Sequence, residues 1–146
     1  MSTAPIELDT PRDPTELSDI RARVRAFAMA GGFSDAAAAE VIVAVGEAAT
    51  NAITHGGVTA SGGRLRLRCE WDGAALVLTL FDYCEESKIG EIRSRNLEDV
   101  RPGGIGVHCM QQLMDDFELL PDGAGWAALR LTRRRAGGRD EEETTA

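Results

Sequence analysis

The segment from Ala36 to about Thr54 places the strongest constraint on the fold, because it has helical spacing and is apolar on most sides. In water such a helix is stable only when neighbouring elements cover its apolar faces. Ser34 and Asp35 precede the segment and are candidate N-terminal caps. The sequence therefore predicts a long core helix with other layers packed around it.

Glu47 and Asn51 are polar residues within this mostly apolar helix. Glu47 and Asn51 are four residues apart, so their side chains project from the same face. A buried carboxylate without partners is strongly unfavourable, which calls for a reason beyond packing. The Asn oxygen suits Mg²⁺, and a carboxylate one turn away can accept a proton. We interpret Asn51 as a metal ligand and Glu47 as a general base; the alternative is that both are surface residues.

His55 lies eight residues after Glu47 and continues the same stripe. It could be a ligand or a catalytic acid. A His directly before two glycines more often caps or packs against the end of its helix, and we favour that interpretation.

A glycine-rich stretch follows about fifty residues later, with Gly103, Gly104 and Gly106 between Arg101 and Val107. We expect a helix from Gly104 to about Asp116. Glycines offer bare backbone N–H groups to phosphates, and a helix N-terminus favours an anion. The stretch is neither a dinucleotide-binding fingerprint nor a P-loop, since it lacks the preceding strand and the Gly-Lys-Ser/Thr ending.

The rest of the chain indicates helices first and strands mostly afterwards. A short possible strand precedes Thr10, and a helix runs from near Thr15, its candidate cap, to Gly31. The remaining expected strands cover residues 64–71, 74–81, 117–120 and 126–132, with a hairpin turn at Asp72-Gly73. Residues 84–102 are polar and lack periodicity, so we expect a long mobile loop there. The order predicts an α+β layer fold.

Asp82 stands at the end of one of these strands, after an apolar run. It could simply begin a turn. Alternatively, its carboxylate could accept a hydrogen bond from an exocyclic amine such as that of adenine.

Composition limits the classes of function. The chain has 146 residues, 43% of them hydrophobic, which is enough for one domain with an ordinary core. A formal net charge of -8 argues against direct nucleic-acid binding. The first residues lack the features of a signal peptide, and no apolar stretch approaches a membrane span, so we expect a cytoplasmic protein. Three cysteines without metal-ligand spacing indicate reduced, mostly buried thiols.

Three segments, in this order, resemble the N, G1 and G2 boxes of the Bergerat-fold ATPases, the superfamily of gyrase-type topoisomerases, histidine-kinase catalytic domains and anti-sigma serine kinases. Glu-Ala-Ala-Thr-Asn-Ala-Ile-Thr-His-Gly at 47–56 is similar to the N box of the RsbW-like anti-sigma kinases. The stretch at 101–115 is similar to their G2 box and following helix. The resemblance covers about residues 6–133.

The resemblance implies a two-layer sandwich with a mixed, mostly antiparallel sheet and helices on one face. We expect the ATP-binding domain to span residues 1–135, and the acidic, apolar-poor composition of 136–146 indicates a disordered tail. ATP and Mg²⁺ are the implied cofactors. Asn51 would hold the metal, Glu47 would be the base and Asp82 would bind adenine. The further nucleotide-binding positions are Cys84, Arg101, Gly103, Gly104, Ile105, Gly106 and Val107.

One position departs from the family pattern. The G1 box normally reads Asp-x-Gly, whereas this chain has Asp82-Tyr83-Cys84. A side chain in place of the glycine restricts φ and narrows the pocket.

The implied function is an anti-sigma factor that phosphorylates a serine or threonine of a STAS-domain anti-anti-sigma partner. Such a kinase also sequesters a sigma factor, often as a homodimer. Arg21, Arg23 and Arg25 form a basic cluster that we expect at a partner surface. The alternative is a catalytically weak or inactive module that acts by protein binding alone. A histidine-kinase catalytic domain is disfavoured, because no dimerisation segment with a phospho-accepting His is found.

Overall fold

The computed structural model describes residues 4–55, 63–93 and 104–135. Its strands are β1 (Ile6–Pro11), β2 (Arg64–Asp72), β3 (Ala75–Glu85), β4 (Asp116–Pro121) and β5 (Trp126–Arg134). Its α-helices are α1 (Leu17–Ala30), α2 (Asp35–His55), α3 (Ile89–Arg93) and α4 (Gly104–Leu113). Short 3-10 turns precede α1 and α3.

The strands form one sheet in the order β1-β2-β3-β5-β4. Every pair of neighbouring strands in the described sheet is antiparallel. The resemblance had implied a mixed, mostly antiparallel sheet, and in the described strands the parallel part is not found. Two of these four pairs, β2-β3 and β4-β5, are hairpins, and short connections of this kind can join only antiparallel strands.

Alternating side chains place the core on one side of the sheet. On β2, Leu65 and Leu67 are buried whereas Arg64 and Arg66 are exposed. The buried side faces the helical layer, where α2 contacts α1, α4 and β3. The buried face of α2 includes Val41, Ala44, Val45, Ala48, Ala49 and Ala52. The predicted α+β architecture and the central position of this helix are confirmed.

The start of α2 follows from a local side-chain cap, whereas the N-cap residue of α1, Glu16, makes no side-chain cap hydrogen bond. Ser34 Oγ accepts a hydrogen bond from the backbone N–H of Ala37, as predicted for the start of α2. At the first helix the prediction of Thr15 as the cap is wrong. Asp13 Oδ1 accepts hydrogen bonds from the N–H and from the hydroxyl of Thr15, and Asp13 thereby caps the 3-10 turn that precedes α1.

The expected loop over residues 84–102 is also wrong in its first half. β3 continues to Glu85, and the chain then forms a 3-10 turn and helix α3. Ile89 and Ile92 of α3 are buried against the core. Their burial stabilises a short helix that the mostly polar sequence of this segment does not predict. Residues 94–102 lie outside the described part of the chain, as does the proposed tail at 136–146.

Helix α2 has a longer apolar stretch than the sequence prediction allowed. Residues Asp35–Thr54 are long and apolar enough to cross a bilayer by length and composition alone. Half of that window is nevertheless buried inside the protein, which is the arrangement of a core helix.

Candidate functional site

The polar face of α2 forms one wall of the site. Glu47 and Asn51 are both half-buried, whereas their neighbours Ala48 and Ala52 are buried. The helix places the carboxylate and the carboxamide one turn apart, on the side that meets the solvent at the edge of the core. The structure thus confirms that the two side chains share a face, while their roles stay predictions.

Helix α4 faces this polar surface. Its Cys109 is half-buried and lies close enough to Glu47 for the charge of the carboxylate to change the pKa of the thiol. Burial raises the pKa of Cys109, and the negative charge of Glu47 raises it further. Glu47 on α2 and Cys109 on α4 are therefore near enough for the carboxylate charge to influence the thiol.

Strand β3 is irregular where it approaches α2. Leu80 pairs with Leu129 and Cys84 pairs with Ala127, so three residues of β3 stand opposite a single residue of β5. Such a bulge re-aims side chains that would otherwise alternate across the sheet. Asp82, at its centre, has a φ of 52°, a left-handed conformation that few residues other than glycine adopt.

The bulge brings Tyr83 to the predicted metal ligand. The phenol ring is only 4% exposed, and its hydroxyl lies 3.2 Å from Asn51 Nδ2, which donates a hydrogen bond to it. Tyr83 was not among the site residues predicted from the sequence. Its position between Asp82 and Cys84 was visible, but the contact depends on a bulge that has no sequence signature.

Asp82 lies among cations in the structure. Its carboxylate is 3.9 Å from Arg66 Nη2, and the side chain is 15% exposed. Arg12 lies nearby and donates a hydrogen bond to the backbone oxygen of Ala52. Burial lowers the pKa of Arg12, while the charge of Asp82 acts in the opposite direction. Arg12 links the bulge to the end of α2, and it too was missed by the sequence analysis.

Cys84 is buried, with 5% of its surface exposed. Burial raises the pKa of its thiol to about 11, and the neighbouring Glu85 contributes in the same direction. The thiol therefore stays protonated at neutral pH. Its side chain fills space that a glycine would leave empty, as expected from the altered G1 box.

The glycine-rich stretch is only partly described. α4 begins at Gly104, as predicted, with Ile105 and Gly106 in its first turn. Val107 is buried in the core, so only its backbone could approach a phosphate. Arg101 and Gly103 lie outside the described residues. His55 ends α2, and both interpretations of its side chain stay predictions.

A family model for the histidine kinase-like ATPase domain matches residues 10–132. This chain belongs to that family. The resemblance noted in the sequence is thus confirmed over most of the chain. No significant match is found among curated proteins.

Two solved structures share the fold of this histidine kinase-like ATPase domain. The structure of the RsbU and RsbW domains of Rv1364c from Mycobacterium tuberculosis matches with a TM-score of 0.64 and 18% identity over 91% of this chain. This chain spans 33% of that one. The SiaB-SiaC complex from Pseudomonas aeruginosa matches with a TM-score of 0.60 and 14% identity, covering 88% of each chain. At these identities the likeness establishes the fold.

The side chains of this ATPase domain fit Mg²⁺ at one end of the site. Among the described residues no three His, Cys, Asp or Glu side chains cluster as a metal site. Mg²⁺ does not need such a cluster, since it commonly uses one or two protein oxygens together with water and substrate phosphates. The half-buried amide of Asn51 supplies an oxygen of this kind. At the other end, Arg66 already interacts with the carboxylate proposed for adenine.

Proposed function

We propose that this domain binds ATP with Mg²⁺ and transfers the γ-phosphoryl group to a serine or threonine of a STAS-domain partner. The observation that carries the proposal is the shared face of Glu47 and Asn51 on α2, within a chain that matches the histidine kinase-like ATPase family. Both side chains are half-buried on a helix that is otherwise mostly apolar.

Asn51 would hold the metal through its side-chain oxygen, and Glu47 would accept the proton of the attacking hydroxyl. When bound, Mg²⁺ neutralises phosphate charge and aligns the nucleotide for transfer. The N-terminus of α4, which begins at Gly104, offers backbone N–H groups to an anion.

Asp82 would bind the adenine amine, as in related ATPases. Its contact with Arg66 does not prevent this, because a partly exposed ion pair at 3.9 Å contributes little, roughly 0 to 1 kcal/mol. The carboxylate can therefore exchange one partner for another when the nucleotide enters.

Partner switching is proposed from the fold comparison. One structure of similar fold contains an RsbW domain, and the other is a complex of SiaB with SiaC. By analogy, this chain would sequester a sigma factor, release it on binding its STAS partner and act as a homodimer in the cytoplasm without direct contact to nucleic acid. This analogy concerns fold, so it guides the choice of partners to test.

The basic cluster on α1 is a candidate for that partner surface. Arg21, Arg23 and Arg25 are all exposed, but Arg25 already pairs with Asp35 over 2.8 Å. Arg21 and Arg23 are therefore better placed to meet an acidic partner. Charge reversal at these two positions should slow association and reduce its dependence on salt.

The proposed function is tested by phosphoryl transfer. STAS-domain proteins from the source organism are incubated with the purified chain, ATP and Mg²⁺, and phosphoserine or phosphothreonine is located by mass spectrometry. Transfer by the wild type that is lost in Glu47→Ala supports the proposal. Transfer that survives in Glu47→Ala contradicts the assignment of the base, and the absence of transfer to any STAS protein contradicts the kinase function.

The second candidate function is a module that binds its partner without catalysis. Burial of Cys84 in the altered G1 box favours it, because a filled position can narrow the adenine pocket. If the chain is such a binding module, the amount of partner protein that it captures should be equal with and without ATP.

A further inference from the structure

Arg135, the last described residue, is held at the seam between α1 and β2. Its backbone N–H donates a hydrogen bond to the carbonyl oxygen of Ala74 over 2.6 Å, and its guanidinium lies over the ring of Trp71 at 5.0 Å. A Cβ atom placed at Gly32, just after α1, would lie 3.6 Å from Arg135 Cδ. The chain therefore leaves its described part at a fixed place near the end of α1.

A second cation lies on the same seam. Phe27 of α1 packs against Trp71 with ring centroids 6.3 Å apart, and Arg23 stands four residues earlier on the same face of the helix. Burial raises the pKa of Cys69, two residues before Trp71 on β2, and the charge of Arg23 acts in the opposite direction. Arg23 and Arg135 thus lie along one seam, with the two aromatic rings between them.

Neither of these two arginines is neutralised within the described part of the chain. Arg25 pairs with Asp35 over 2.8 Å, but Arg23 and Arg135 form no ion pair with another described residue. Arg23 is exposed and Arg135 is half-buried. The seam therefore carries two positive charges on a chain of formal net charge -8, and these charges attract carboxylates.

Four consecutive carboxylates follow in the sequence. They are residues 140–143, Asp-Glu-Glu-Glu, which lie outside the described residues and begin five positions after Arg135. At roughly 3.5 Å per residue, five to eight residues span at most about 17 to 28 Å. Arg23 is within this reach, since it stands about 6 Å along α1 from the ring of Phe27 that contacts Trp71. A short tether of this kind gives an effective concentration on the order of millimolar, at which weak ionic contacts form.

We propose that the acidic run at 140–143 binds to Arg23 and Arg135 of its own chain and thereby covers the seam between α1 and β2. Its consequence for partner binding rests on the proposed function, because Arg23 is one of the two arginines offered there to an acidic partner. The run then competes with that partner for the same flank of α1.

Cross-linking tests the contact without partner or nucleotide. Lys88 is the one lysine of the sequence, so Arg23→Lys adds a second amine that a zero-length carbodiimide joins to a carboxylate on direct contact. Arg21→Lys is the matched control. Arg21 lies about 200° around α1 from Arg23, and its Nε would be 3.0 Å from a Cβ placed at Gly46 of α2.

We expect a cross-link from position 23 to residues 140–143 that is at least about fivefold more abundant than one from position 21, and that is lost near about 0.5 M salt. Mass spectrometry of mixed nitrogen-14 and nitrogen-15 chains shows whether the link lies within one chain. Equal yields from the two positions, no link from position 23, or a link only between differently labelled chains overturns the inference.

A labelled polyglutamate peptide, as a stand-in for an acidic partner, measures whether the seam is covered. Neutralisation of the run by Asp140→Asn, Glu141→Gln, Glu142→Gln and Glu143→Gln should raise the affinity for this peptide about three- to tenfold at low salt. In an Arg23→Gln background the same neutralisation should change the affinity little, which separates the contact from the general effect of net charge. Neither measurement uses ATP or a STAS protein, so their failure is distinct from failure of the phosphoryl-transfer test. No gain in the wild-type background, or an equal gain in both backgrounds, overturns the inference.

Discussion

Arg133 Nη2 of β5 lies 2.8 Å from Glu40 Oε1 of α2, and the arginine side chain is only 3% exposed. Arg133 Nη1 also donates a hydrogen bond to the backbone oxygen of Leu113 at the end of α4, over 2.9 Å. One guanidinium thus joins the sheet to both helices that flank the candidate site. A buried cation needs such partners, because its desolvation is otherwise uncompensated.

Removal of this carboxylate should destabilise the protein. We expect Glu40→Ala to lower the free energy of unfolding by about 1 to 3 kcal/mol, less than for a fully buried pair because Glu40 is half exposed. Glu118→Ala is the matched control, since Glu118 of β4 forms a surface ion pair over 2.9 Å with Arg130, which lies on β5 like Arg133. Its cost should stay below about 1 kcal/mol. Urea denaturation measures both, and equal costs would contradict the structural role of Glu40.

A second prediction concerns the close packing of Gly31 against Trp71. A Cβ atom at Gly31 would lie 2.0 Å from the indole Cε2, so Gly31→Ala must displace a ring that also contacts Phe27 and Phe33. We expect a loss of roughly 1 to 3 kcal/mol in the free energy of unfolding.

Gly90→Ala is the control for this change. Gly90 lies in α3 with no atom within 4 Å of a Cβ placed there, so alanine should be neutral or stabilise by up to about 1 kcal/mol. Thermal unfolding of the two variants decides the point. A Gly31→Ala protein as stable as Gly90→Ala would refute the tight contact.

Asn51 and Glu47 should separate binding from chemistry. We expect Asn51→Ala to weaken Mg²⁺-dependent ATP binding at least about tenfold, because the variant lacks the metal's protein ligand. Glu47→Ala should leave ATP binding largely intact and lower transfer by about 10² to 10⁴, because proton removal acts only in the chemical step. Calorimetry and single-turnover kinetics make the comparison. Equal ATP affinity of the wild type and Asn51→Ala would refute the metal assignment.

Cys84→Gly should tighten ATP binding by about 1 kcal/mol, because it removes a buried side chain from the altered G1 box. The same change should lower thermal stability, since glycine removes buried sulfur and adds freedom to the unfolded chain. Cys69→Ala provides the control, because Cys69 is buried on β2 away from the G1 segment. It should lower stability without changing ATP affinity. Unchanged or weaker binding by Cys84→Gly, titrated under reducing conditions, rules out the steric role.

The three thiols should differ in reactivity. Burial raises the pKa of Cys84 to about 11 and that of Cys69 to about 12, so at pH 8 only about one Cys84 in a thousand is a thiolate. Cys109 is half-buried and more accessible. Iodoacetamide followed by mass spectrometry should therefore label Cys109 first.

The labelling of Cys84 should rise about tenfold per pH unit between pH 8 and 10, since the thiolate fraction grows until the pKa is reached. A folded protein in which Cys84 reacts as fast as Cys109 at pH 8 contradicts the buried position.

The sequence alone determined the features that depend on local patterns. The apolar run of α2 with its cap at Ser34, and the alternation of β2 with the turn at Gly73, are visible because helical and strand periods and turn residues act over a few positions. The helical period also predicted that Glu47 and Asn51, four residues apart, lie on one face of α2. The order of the motifs along the chain is enough to indicate the family.

The tertiary structure decided what these side chains meet. Tyr83 reaches Asn51 only because β3 bulges against β5, and Asp82 lies beside Arg66 only because β2 and β3 pair in one register. Both contacts join residues that are distant in sequence. A shift of β3 by one residue in its pairing would turn Tyr83 and Asp82 to the opposite faces of the sheet. Local propensity has no information about such pairings, so the neighbours of the candidate site follow from the fold as a whole.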